Sequence, residues 1–83
     1  MAPNQLRYFL EIASTLNISR AAERLGVTQP TLSLAIQKLE EDMGVPLLLR
    51  SKSGVRLTKY GERLSGRAKM LLDQWEKIRA ETL

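Results

Sequence analysis

With 83 residues and neither cysteine nor histidine, this chain is one small domain with no disulfide framework, no thiolate or imidazole metal ligand and no histidine general base. No pair of carboxylates stands out for acid–base work, so no catalytic residue and no metal site is assigned, and the chain is not expected to be an enzyme. Thirteen Lys and Arg against nine Asp and Glu leave a net charge of +4 and a pI of about 9.9, a balance suited to a polyanion such as nucleic acid or an anionic membrane surface. The excess is concentrated: between Arg50 and Lys69 stand seven basic residues and one acid, Glu62. No signal-peptide core opens the chain and no apolar run approaches the roughly 20 residues of a membrane span, so a cytoplasmic location without membrane contact is expected.

The first periodic segment is NQLRYFLEIASTL. Leu6, Phe9, Leu10, Ala13 and Leu16 predict one apolar helical face, with a start near Pro3 and Asn4. Asn17-Ile18-Ser19 interrupts it. Ser19 reads as the N-cap of a short second helix, RAAERL, with Ala21, Ala22 and Leu25 inward and Gly26 as its left-handed end. Pro30 then falls just ahead of the stripe Leu32, Ile36, Leu39. With Thr28 as N-cap, Pro30 lies in a first turn whose N–H groups have no helical acceptor, so the proline starts a helix rather than breaking one. That helix runs to about Met43, where Gly44 and Pro46 stop it.

Leu47-Leu48-Leu49 and Val55-Arg56-Leu57 flank the turn-rich SKSG and predict a small β-hairpin with a basic tip. Thr58 caps a last helix, in which Leu64, Ala68, Leu71, Trp75 and Ile78 follow the alternating four- and three-residue steps of a heptad seam. Gly61 and Gly66 weaken it locally by up to about 1 kcal/mol each.

The stretch SRAAERLGVTQPTLSLAIQKL has the pattern of a helix-turn-helix: small residues where helices cross, a glycine turn plugged by Val27, and Leu32 with Ile36 seating one helix on the other. An αα-corner of any helical bundle fits the same pattern. The outer face tilts the balance. With Leu32, Ala35, Ile36 and Leu39 inward, Gln29, Thr31, Ser33, Leu34, Gln37 and Lys38 face out, and amides and hydroxyls suit base edges and phosphates where a solvated face usually carries Glu and Lys. Free N–H groups and the dipole at the helix N-terminus add to this, while Glu40-Glu41-Asp42 sit at the far end.

Arg50, Ser51, Lys52, Ser53 and Arg56 form a basic loop fitted to a phosphate backbone or a narrow minor groove. Alone, such a loop reads as a charged turn protecting a short edge strand. Directly after a helix-turn-helix it has the position of a wing. The apolar stripe of the last helix has no other element left to cover it, and a second copy is its simplest partner. Glu62, Asp73, Glu76 and Glu81 argue against that helix lying on a membrane.

The span from Leu6 to Leu64, through SRAAERLGVTQPTLS, IQKLEEDMGVPLL and RSKSGVRLTKYGE, resembles the N-terminal DNA-binding domain of LysR-type transcriptional regulators. The resemblance implies a mainly α winged helix-turn-helix: three helices and a hairpin wing in residues 1–58, then a linker helix in 59–83 that forms an antiparallel homodimer through Leu64, Ala68, Leu71, Trp75 and Ile78. It further implies binding of double-stranded DNA at an interrupted inverted repeat, with Gln29, Pro30, Thr31, Ser33 and Leu34 in the contact set and Arg50 as the wing arginine. We assign Gln29, Thr31, Ser33 and Leu34 to base reading or register, and Thr28, Gln37, Lys38, Arg50, Lys52 and Arg56 to the backbone. Leu34 stands where the family often has arginine, Leu48 where phenylalanine is frequent, and Leu49 where a polar residue is usual, which leaves an exposed apolar spot. Family members also carry a C-terminal domain for a small-molecule effector. That domain is expected to be absent from this chain, no cofactor is expected here, and the longer protein has room for a tetramer. The rival reading is a protein-interaction module on the same scaffold, its hairpin merely solvated.

Overall fold

Local capping chemistry sets most of the helix boundaries. The computed structural model describes residues 3–83, so that Met1 and Ala2, at the start of the expected 1–58 unit, lie outside the described residues. The elements run α1 (Pro3–Thr15), α2 (Ile18–Leu25), α3 (Gln29–Met43), β1 (Leu48–Ser51), β2 (Gly54–Leu57) and α4 (Lys59–Thr82). This is the expected winged helix-turn-helix with a long fourth helix.

Thr28 caps α3, its hydroxyl oxygen accepting from the Thr31 amide, and Pro30 sits in the first turn. Thr58 caps α4 in the same way through the Gly61 amide. At the end of α2, Gly26 takes φ +69°, and the amides of Gly26 and Val27 donate to the carbonyls of Glu23 and Ala22. That crossed pair closes the helix and turns the chain into α3 within three residues. The start of α2 differs from expectation. Its N-cap is Asn17, whose side-chain oxygen accepts from the Arg20 amide, and Ser19 lies inside the helix. Asn17 wins because its backbone is extended and its short amide side chain reaches the amide three residues on.

The inward face of α1 also differs. Leu6, Phe9 and Ile12 are its buried residues, Leu10 packs at the margin, and Leu16 is exposed just past the helix end with φ +52°. α1 lies against α2, α3 and α4 at once, so its core stripe is centred on Phe9 and Ile12 rather than on the Leu10–Ala13 flank. Phe9, Ile12, Leu32, Ile36, Leu39 and Leu47 are fully buried, each worth roughly 1.5–3 kcal/mol of burial. Exposed ion pairs, Arg7 with Glu76 and Arg24 with Glu11, span α1–α4 and α1–α2 and add little to that.

The hairpin is antiparallel, with Leu48 opposite Leu57, Leu49 opposite Arg56, Arg50 opposite Val55 and Ser51 opposite Gly54. Leu48 and Val55 enter the core. Where the hairpin meets α4, the Thr58 amide donates to the Leu47 carbonyl at 3.0 Å and the Thr58 hydroxyl donates to the Pro46 carbonyl at 2.7 Å. Gly61 is buried directly against this joint: a Cβ there would collide with the Leu47 carbonyl oxygen. The first half of α4, through Leu64 and Ala68, belongs to the same core, so Thr58 marks a change of role and not a gap in packing.

Candidate nucleic-acid interface

α3 divides cleanly. Leu32, Ile36 and Leu39 are buried, while Gln29, Pro30, Thr31, Leu34, Gln37 and Lys38 are exposed and Ser33 is half-buried. The residues from Gln29 to Ile36 carry no charge, and Leu34 stands 51% exposed among them. The helix end offers side chains more than amides. Pro30 has no N–H, the Thr31 amide is held by Thr28, and only the Gln29 amide of the first turn is left for a ligand. The expected row of free N–H groups therefore shrinks to one. The Thr28 hydroxyl also donates to Thr31 Oγ1 at 2.9 Å, so Thr28 shapes the turn and holds Thr31 in place.

The wing meets α3 on one face only. Successive residues of a strand point to opposite sides, so Arg50 shares the side of the buried Leu48 and Val55, and its Nη1 donates to Ser33 Oγ at 3.4 Å. Arg56 is paired with Leu49 and lies on the other side, together with that 57% exposed leucine. The wing cluster read from the sequence is thus split: Arg50 joins the α3 surface and Arg56 does not. At the tip, Ser51 and Ser53 share a hydroxyl–hydroxyl hydrogen bond of 2.9 Å, Gly54 turns with φ +125°, and Lys52 is exposed.

The seam of α4 is likewise divided. Ala68 is buried in the chain's own core and Leu64 packs against it, on a helix that α1 also contacts. Leu71, Trp75 and Ile78 remain exposed, and Met70, which the heptad spacing omitted, joins them at 62% exposure. The charges of α4 are unevenly spread: Lys59, Arg63, Arg67 and Lys69 outnumber Glu62 in its first half, whereas Asp73, Glu76 and Glu81 are mixed with Lys77 and Arg79 in its second. Lys59 and Arg63 both lie over the Tyr60 ring, 5.1 and 5.9 Å from its centre, which holds two of the basic groups near the head.

One residue of this region has no local signature in the sequence. Glu40 accepts hydrogen bonds from the amides of Leu47 at 2.7 Å and Leu48 at 3.3 Å, tying α3 to the root of the wing. Its partners are seven and eight residues away across a turn, beyond any cap or heptad pattern. Among the described residues, no group of His, Cys, Asp and Glu could hold a metal ion, and no helix is long and apolar enough to cross a membrane.

A tight turn between α2 and α3, an uncharged polar face on α3 and a hairpin arginine brought beside it define a winged helix-turn-helix module. The sequence pattern of the family described as bacterial regulatory helix-turn-helix protein, lysR family, matches residues 3–62, and the chain belongs to that family. The Hca operon transcriptional activator HcaR of Escherichia coli K12 is 46% identical over the whole chain, which spans 29% of HcaR. IlvR, a helix-turn-helix-type transcriptional regulator of Caulobacter vibrioides, is 54% identical over 69% of the chain, 19% of its own length. Among solved structures, a complex of the CbnR DNA-binding domain with DNA superposes with a TM-score of 0.95 at 36% identity, covering 99% of this chain and 94% of that one. A full-length OxyR from Pseudomonas aeruginosa gives 0.94 at 44% identity, covering 99% of this chain and 28% of that one.

Proposed function

We propose that this chain is the DNA-reading part of a LysR-type transcriptional regulator. In this reading α3 enters the major groove by its N-terminal end, Gln29, Thr31, Ser33 and Leu34 meet base edges or set register, and Gln37 and Lys38 hold the backbone. Arg50 and Lys52 take the adjacent phosphates or the minor groove. Arg56 has a lesser part, since it lies on the far side of the hairpin from α3. The observation that carries the reading is the Arg50–Ser33 contact, which puts a guanidinium at the edge of an uncharged hydroxyl and amide face. The DNA complex of the CbnR domain, matched over nearly its whole length, supports it. The reading assigns no catalysis, and the site of action is the cytoplasm, where the DNA is.

Dimerisation belongs to the same proposal. Met70, Leu71, Trp75 and Ile78 stay exposed among the described residues and offer an apolar strip. An antiparallel pair of α4 helices would cover this strip with its own copy. Two reading heads would then face an interrupted inverted repeat, and a small-molecule effector would act through other parts of a longer protein. Selection from random-core duplexes in moderate salt tests all of this together. Enrichment of an inverted repeat is the expected result. Salt-sensitive binding without enrichment would leave only a charged surface, and no binding would favour a protein-interaction module.

A further inference from the structure

Side chains of two α3 residues, Ser33 and Glu40, hydrogen-bond to the first strand of the hairpin or to the residue just before it. Ser33 receives the Arg50 side chain, and Glu40 receives the amides of Leu47 and Leu48. Ser33 and Glu40 are seven residues apart, two helical turns, and therefore share one face of α3. β1 is thus fastened along that face at its root by Glu40 and further out by Arg50. The root fastening is the stronger, because a carboxylate accepting two N–H groups, one at 2.7 Å, is a charge-assisted contact, whereas the Arg50–Ser33 bond is long. On its other side the same root is joined to α4 by Thr58.

We propose that Glu40 is a positioning residue for DNA recognition: its carboxylate fixes the root of the wing on α3, so that Arg50 arrives beside Ser33. The inference rests on the DNA-reading function proposed above. It also carries a sign that charge alone would not produce. Removing an acid from a domain that binds a polyanion should tighten binding through the general field. Removing a positioning acid should weaken it, and only through the wing.

The test uses the 83-residue chain and two duplexes, the one selected by the wild type and a scrambled version. Glu40→Ala should bind both duplexes up to about fivefold more weakly, a loss no larger than that of Arg50→Ala, since it is felt only through that arginine. Its salt slope should fall by about one phosphate contact, as for Arg50→Ala. The double variant should bind no more weakly than Arg50→Ala alone, because Glu40 acts through that arginine. Glu40→Gln, which keeps an acceptor oxygen, should lie between wild type and Glu40→Ala. Amide exchange should accelerate at Leu47 and Leu48 while Phe9 and Ile36 stay protected. Unchanged or tighter binding by Glu40→Ala, losses that multiply in the double variant, or equal acceleration of the core amides would each overturn the assignment. A wild type that binds nothing in the random-core pool, and so selects no duplex, overturns the DNA reading itself, a failure plainly separate from that of Glu40.

Discussion

The outer faces of α3 and α4 are both exposed among the described residues, and they differ in kind. Along α3 the exposed groups are an amide, hydroxyls and one leucine, without a charge from Gln29 to Ile36. Along α4 the exposed strip is Met70, Leu71, Trp75 and Ile78, bordered by charges of both signs. A polar uncharged face is tolerable in water and gains from a partner whose donors and acceptors stand at fixed places. An apolar strip gains from any partner that removes it from water, and a symmetric copy brings an equal strip of its own. Exposure is common to both; only the chemistry of the exposed groups separates the reading face from the assembly face proposed above.

The largest expected effect breaks the α4 side. If α4 pairs as proposed, Leu71→Glu should cost the dimer about 3–5 kcal/mol by placing unpaired carboxylates in a symmetric interface, and sedimentation should find a dimer for the wild type and a monomer for the variant. A surviving dimer would move assembly to another surface. Next comes the joint that makes both faces parts of one body. Gly61→Ala should destabilise the chain by about 3 kcal/mol in thermal or denaturant unfolding, since the new methyl meets the Leu47 carbonyl, while Gly66→Ala, with open space around it, should not.

On the α3 side, Gln29→Ala should cost about 2 kcal/mol on the selected duplex and leave scrambled DNA unaffected, measured by competition. Equal affinity of the wild type for both duplexes would remove that side of the comparison. The smallest effect is Arg50→Ala, about 1 kcal/mol on every duplex with a flatter salt dependence, because the arginine reads charge and not sequence. A matching loss from Arg56→Ala would mean that both faces of the hairpin reach the DNA.

Much of this was legible in the sequence where the cause was local, although the cap of α2 fell on Asn17 and not on Ser19. Thr28, Thr58, Gly26 and Gly44 announce helix ends because capping needs only a side chain and a few neighbouring amides. The uncharged face of α3 follows from its buried stripe by simple periodicity. What periodicity could not supply was the number of neighbours. The apolar face read from Leu6, Phe9, Leu10, Ala13 and Leu16 leaves out Ile12, which is buried in a helix that contacts three others. Ala68 reads as seam but is buried in the chain's own core. The strand register separates Arg50 from Arg56, and that depends on where the turn falls. Glu40 was hidden more deeply, as a charge whose partners are backbone amides of another element.

The division of α3 has a consequence for how such a module changes over generations. Its buried residues, Leu32, Ile36 and Leu39, share no position with Gln29, Thr31, Leu34, Gln37 and Lys38. Exchanging the outer set leaves the core volume untouched, with changes in stability expected to stay within about 0.5 kcal/mol, and under the DNA-reading proposal it would alter what the helix recognises. A lineage can therefore readdress the domain to new operators one substitution at a time, without passing through unfolded intermediates.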